Sequence, residues 1–94
     1  MQVKWLRRAL KNLDDEAAFI AQDDQAAAAR VVARVISSVE RLAVYPASGR
    51  PGRVSGTREL IVRVTPYLVP YRVRGETVEI LRVFHGARKW PEKF

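Results

Sequence analysis

Between Leu6 and Ile20 the apolar side chains recur at steps of three and four: Leu6, Leu10, Leu13, Ala17 and Ile20. That spacing places them on one face of a helix, with Arg7, Arg8, Lys11, Asp14 and Asp15 mainly elsewhere. The stretch QDDQ interrupts the pattern. Asp24 follows where an N-cap belongs, because its carboxylate can accept from the free N–H groups of a new helix. This second helix is predicted from about Gln25 to about Ala43, with Ala28, Val32, Val35, Ile36, Val39 and Leu42 as its apolar stripe. Two amphipathic helices joined this closely make an antiparallel hairpin.

The run YPASGRPGRVSG is dense in Pro and Gly and reads as a turn-rich loop, not a linker between domains. Beyond it the period changes to two. In TRELIVRV, Leu60, Val62 and Val64 alternate with Glu59, Ile61 and Arg63. YLVPYRVRG and TVEILRVFH follow as two further strands, with Gly75-Glu76 suited to a tight hairpin turn and Thr65-Pro66 marking the earlier reversal. Pro70 cannot donate to a ladder, so a bulge or local break is expected there. QVKWL is a short extended segment before the first helix. The apolar face of the strands needs a cover, and the helical hairpin is the element that can supply it. The fold class is α+β, in the order β-α-α-β-β-β, with the hairpin packed on a small antiparallel-rich sheet. Residues 1–94 form one domain. Leu6, Leu10, Leu13, Ile20, Val32, Ile36, Val39 and Leu42 are the helix residues expected against the sheet.

Composition narrows the chemistry. The 94 residues include no Cys, which excludes disulfides and thiolate metal sites and fits a cytoplasmic protein. No apolar run approaches a membrane span, and the acid-containing N-terminus does not read as a secretory signal. Seventeen Lys and Arg against 10 Asp and Glu give a formal charge of +7, which implies an acidic partner: nucleic acid, an anionic surface or an acidic protein segment. Arg58, Arg63, Arg72, Arg74 and Arg82 fall on the predicted strands, on the surface away from the helices or at its rim. They are candidates for binding a partner, since the planar guanidinium pairs equally well with carboxylate and phosphate.

The C-terminal stretch RVFHGARKWPEKF gathers the single His85 with Arg88, Lys89 and Trp90. His85 suits either a structural hydrogen bond at a strand end or general acid–base work. Trp90 suits either anchoring of the tail on the domain or contact with a partner. One His without clustered carboxylates does not form a usual metal site, and no Gly-rich phosphate loop opens a helix. No cofactor or metal is expected.

The segments VKWLRRALKNLDDEAAFIA, RELIV and YLVPYRVRGETVEILRVFHGARKWP resemble the RelE/ParE superfamily of type II toxin–antitoxin toxins over essentially the whole chain. The ending ILRVFHGARKW resembles the ParE branch more than the RelE branch. The resemblance implies a basic bacterial toxin neutralised by a cognate, ParD-like antitoxin whose disordered segment folds over it. ParE-like members bind DNA gyrase and trap its cleavage complex. RelE-like members cleave mRNA in the ribosomal A site, using basic residues on the second and third strands and groups at the tail. Here the strand positions match Ile61 and Leu68, and the terminal tyrosine position matches Phe94. Only Arg88 keeps its character. RNA cleavage needs a base, a charge stabiliser and an acid, and those three residues supply none. The resemblance therefore implies a gyrase-binding toxin without catalytic residues, with Arg58, Arg63, Arg72, Arg74, Arg82, Arg88, Lys89 and Trp90 as the expected contacts to target or antitoxin. The alternative is a ribosome-dependent mRNA endonuclease using His85 and Arg88. A plain nucleic-acid-binding module is suggested by charge alone.

Overall fold

A computed structural model describes residues 1–94. In chain order the elements are β1 (Gln2–Trp5), α1 (Arg7–Ala21), α2 (Gln25–Glu40), a 3₁₀ turn (Arg41–Ala43), β2 (Arg50–Pro51), β3 (Arg58–Ile61), β4 (Tyr67–Arg74), β5 (Thr77–Ile80) and β6 (Phe84–His85). The sheet runs β1-β5-β4-β3-β2, with β6 also paired to β4. Only β1 and β5 are parallel. Two helices on one face of a mostly antiparallel sheet match the predicted α+β class. Asp24 caps α2 as expected, its Oδ1 accepting from Ala27 N–H at 3.0 Å.

The helices contact the sheet along much of the expected stripe, through Leu13, Val39 and Leu42 with Ile20 and Val32 beside them, but depart from it at two positions. Ala9, Leu13, Val35, Val39 and Leu42 are buried in the main core, with Ile20, Val31 and Val32 partly buried against it. Leu10 and Ile36, both expected inside, are 47% and 38% exposed. The small Ala9 lies at the contact instead of Leu10, and each displaced residue sits one position, about 100° of helix, off the buried stripe. From the sheet, Val62, Tyr67, Val69, Tyr71, Val78, Ile80 and Val83 close this core.

The long last strand is broken, and Pro70 explains where. Tyr71 pairs with Ile80, and Leu68 pairs with Phe84. Two residues of β4 thus face three residues of the partner, Leu81–Val83, which is a bulge. Leu81 N–H donates to Pro70 C=O at 3.0 Å, so Pro70 turns its missing donor towards the bulge, where the ladder is already interrupted. Asn12 of α1 accepts from Val83 N–H at 3.1 Å and satisfies part of the interruption.

The expected strand over TRELIVRV also ends early. β3 stops at Ile61, and Val64 turns with φ 65°, a left-handed conformation unfavourable for a β-branched residue. Thr65 holds this turn: its hydroxyl donates to Val62 C=O and accepts from Tyr67 N–H. Gly75, with φ 56°, makes the tight turn between β4 and β5 as predicted. No helix is long and apolar enough to cross a membrane.

Candidate functional site

The C-terminal tail meets α1 and β4 in a polar cluster on the helix side of the sheet. β6 sets Tyr67 opposite His85, and their rings meet edge to face at 5.7 Å between centroids. Beyond His85, Gly86 N–H donates to Pro66 C=O at 2.7 Å, and the chain turns back. This brings Arg88 Nη1 to 2.6 Å from Glu16 Oε2, while Tyr67 Oη donates to Glu16 Oε1 at 3.0 Å. Glu16 was not among the residues singled out from the sequence. Its signal was available: it stands seven positions after Ala9 and three after Leu13, a charge on the buried stripe.

Electrostatics fix the proton positions in this cluster. Burial first, then the bond to Glu16 and its charge, push the Tyr67 hydroxyl up to about 12. The Glu16 hydrogen bond and charge hold the Arg88 guanidinium above its ordinary value. His85 Nδ1 accepts from Ala87 N–H at 3.1 Å, which leaves the ring proton of the neutral form on Nε2. The tyrosine keeps its proton, the arginine keeps its charge, and one histidine nitrogen is occupied. The cluster therefore ties the tail to α1, although half of the Arg88 side chain remains open to solvent.

The opposite face of the sheet carries a second, smaller apolar group. Leu68, Leu81 and Trp90 are buried there, outside the main core. Trp90 packs on Phe84 at 4.8 Å between centroids, Phe94 packs on Phe84 at 5.9 Å, and the Arg53 guanidinium lies 3.7 Å above the Trp90 ring. Trp90 thus anchors the tail on the domain. Its indole N–H has no partner. Arg53 in turn joins Arg50 on Glu59, the one buried charged side chain, which also accepts from Arg53 N–H. Burial alone would push the Glu59 carboxyl up. The Arg53 N–H bond, the Arg50 bond and the Arg53 charge outweigh it and hold the carboxyl below its ordinary value.

The basic residues expected to form one surface are distributed more widely. Arg58 turns to the helix side, opposite Tyr71, and donates to the carbonyls of Ala47 and Gly49. Arg72 and Arg74 are on the far face, both paired with Glu79 at 2.6 and 3.6 Å. Arg63 lies in the turn after β3 and Arg82 in the bulge between β5 and β6, so neither is on a strand. Arg82 is partly buried, and desolvation with the nearby Arg8 charge lowers its proton affinity. Lys89 is exposed and takes part in no ion pair. No three His, Asp or Glu side chains converge as metal ligands would.

The positions relevant to nuclease chemistry are split across the sheet. Ile61 pairs with Leu68 and Leu68 with Phe84, which places all three, and Phe94 on Phe84, on the far face. His85 and Arg88 lie on the helix face with Tyr67 and Glu16.

Comparison with known proteins adds to this geometry. The family model of the ParE toxin of type II toxin–antitoxin system, parDE, matches residues 3–90. Y4kP, a provisionally named toxin of Sinorhizobium fredii, is 52% identical over 91 residues, covering 97% of this chain and 94% of that protein. Toxin RelE2 of Caulobacter vibrioides is 39% identical over 87 residues, covering 93% and 97%. A chain from a structure of the chromosomal ParDE TA system from P. aeruginosa superposes with a TM-score of 0.80 at 30% identity, covering 90% of this chain and 95% of that one.

Proposed function

The chain belongs to the ParE toxin family of type II toxin–antitoxin systems, and we propose that it acts by binding DNA gyrase, performs no chemistry of its own, and is neutralised by a cognate antitoxin. One observation carries the choice of mechanism: His85 and Arg88 lie on one face of the sheet, and Ile61, Leu68 and Phe94 on the other. Cleavage of RNA by its own 2′-OH needs a base, an acid and a cation around one phosphate. Here the cation is engaged by Glu16, one histidine nitrogen by a backbone N–H, and the facing strand positions are apolar. The antitoxin partner is supported by family membership and by the ParDE system to which the P. aeruginosa chain belongs.

The nuclease reading has one specific observation in its favour: a relative named RelE2 covers nearly the whole chain, and His85 keeps Nε2 outside the Ala87 bond. The two readings separate in parallel assays of gyrase supercoiling and of mRNA cleavage during translation. Binding to gyrase predicts lost supercoiling with intact mRNA, and His85→Ala that remains toxic. Codon-specific cleavage that vanishes in His85→Ala, by about 10²–10⁴ in rate, with supercoiling untouched, establishes the nuclease instead.

A further inference from the structure

The positive charge of the chain is unevenly placed. Residues 7–41 hold six Lys and Arg and six Asp and Glu, so the helical hairpin is formally neutral and the whole +7 lies outside it. The same hairpin carries a groove of about 580 Å³ lined by apolar side chains alone, none of them from the sheet. Ala17, Ala18 and Ala21 of α1 form one wall, and Ala29, Ala33 and Ile36 of α2 the other. Leu10 continues the first wall, eight residues before Ala18 on the same helical face. Leu10 and Ile36 are the two large residues that fall off the buried stripe, 47% and 38% exposed. The phase that takes them out of the core thus gives the hairpin a second apolar face.

Shape and charge together say what covers this face. Its walls are mostly alanine, and small side chains let a helix approach closely, so the groove suits helices. A protein of +7 repels its own copies over most of its surface, but that repulsion is least at a neutral hairpin, where an acidic partner also gains least. The charges of the hairpin are moreover segregated along its length. Asp23 and Asp24 lie in the turn, and Arg7, Arg8 and Lys11 at the opposite end. Lys11 pairs with Asp15 of its own helix, whereas Arg7 and Asp23 are exposed and take part in no ion pair. Two hairpins stacked antiparallel set the acidic turn of each against the basic end of the other. Stacked in parallel, they would set like charges together.

We propose that a second copy of this chain covers the groove: two hairpins stack face to face and antiparallel about a twofold axis, with Arg7 of each copy beside Asp23 of the other. Every contact then occurs twice, as a self-complementary interface requires. Helices of 15 and 16 residues side by side present a face on the order of 450 Å², at the low end for a specific interface. The dimer is therefore weak and concentration-dependent, with a dissociation constant on the order of 10–100 µM. The tail and the far face of the sheet stay open in it, so the inference stands apart from the choice of target.

Sedimentation velocity of the purified toxin from about 5 to about 500 µM tests the pairing. The average mass is expected to rise from one chain towards two across this range. Ala33→Glu places a charge in the groove at an exposed position and is expected to weaken association about 10-fold or more. Arg7→Glu and Asp23→Arg are each expected to weaken it about 3- to 10-fold, and the double variant to restore it, because the reversed pair is again complementary. Far-UV circular dichroism reports whether each variant keeps its helices. If Ala33→Glu loses them, the charge reversals, which touch only exposed residues, decide alone. A toxin that stays monomeric at the highest concentration overturns the proposal, as does association unmoved by a folded Ala33→Glu. Reversals that weaken association singly but fail to restore it together overturn the antiparallel arrangement. A monomeric toxin whose Ala33→Glu variant binds the cognate antitoxin more weakly gives the groove to an antitoxin helix and also overturns the pairing.

Discussion

Glu16 on α1 and Arg88 in the tail, 72 residues apart, meet at 2.6 Å, and the second oxygen of the same carboxylate holds Tyr67. One side chain thus couples the first helix, the central strand and the end of the chain. Glu16→Gln should loosen the tail without unfolding the core. Limited trypsin digestion should then cut faster after Arg88 and Lys89, while the far-face packing of Trp90 delays full release.

The same triad predicts a titration. Tyr67 ionises near 12 in place of its ordinary 10.0. Because the folded value is raised, the stability it contributes is present below pH 10.0 and is lost as pH rises from 10.0 towards about 12. In Glu16→Gln the phenolate should appear at lower pH, yet above 10.0, since burial is the larger cause and persists. Phenolate absorbance, with Tyr67→Phe as the blank, follows this directly. Tyr67→Phe should itself cost about 0.5–1.5 kcal/mol, the net worth of one hydrogen bond.

Helix phase gives a second contrast. Leu42 is fully buried and Leu10 is 47% exposed. Leu42→Ala should cost about 2–5 kcal/mol in denaturant unfolding, whereas Leu10→Ala should stay within about 0.5 kcal/mol, as surface changes do. Comparable losses at both positions would contradict the observed packing.

The sequence made the elements and their layering readable because periodicity, the Asp24 cap and Gly75 are local signals. Helix phase was less readable, because Leu6, Leu10 and Leu13 form as good a stripe as Ala9 and Leu13 when only hydrophobicity is counted. Ala9 is preferred at the contact because its size lets α1 approach the sheet. The tail was legible in part: anchoring on the domain was one of the two roles open to Trp90, and Trp90 is buried against Phe84, but nothing in the residue types placed Val83 in a bulge between β5 and β6. The pairings of Arg72, Arg74 and Arg88 were not, since each depends on a carboxylate brought near by register or by a contact distant in sequence. Phe84 and His85 point to opposite faces by strand alternation, and the bulge opposite Pro70 decides which face each takes. One residue more or less there changes which side chains share a face.

Glu59 makes acid stability a test of the loop network. Its carboxyl is buried but held below the ordinary 4.5 by Arg50 and Arg53. The unfolded chain therefore takes up this proton first as pH falls. The stabilisation is complete above pH 4.5 and declines below it, until the folded carboxyl is protonated as well. Glu59→Gln should reduce stability at neutral pH and flatten this part of the acid dependence. Equal slopes below pH 4.5 in mutant and wild type would show that the pairing contributes nothing to folding.

Tyr71 and Gly49 make the last prediction. The Tyr71 hydroxyl satisfies a buried Gly49 N–H and donates to Pro46 C=O. Tyr71→Phe strands that N–H, a loss of about 1–3 kcal/mol. Gly49 is glycine because of space: a Cβ there would stand 2.6 Å from both Cε1 and Oη of Tyr71 and 3.0 Å from Glu59 C=O. Gly49→Ala must therefore displace the tyrosine ring, and overpacking of this kind costs about 1–3 kcal/mol. Because both substitutions break one bond, their effects should not add. In a Tyr71→Leu background the alanine at position 49 meets no ring, and its penalty should shrink. A Gly49→Ala penalty equally large in both backgrounds would place its origin in the backbone instead of the contact with Tyr71. In wild type the Gly49 amide should exchange slowly with solvent, and in Tyr71→Phe it should exchange faster while the amides of β4 stay protected, since only the loop loses its tether.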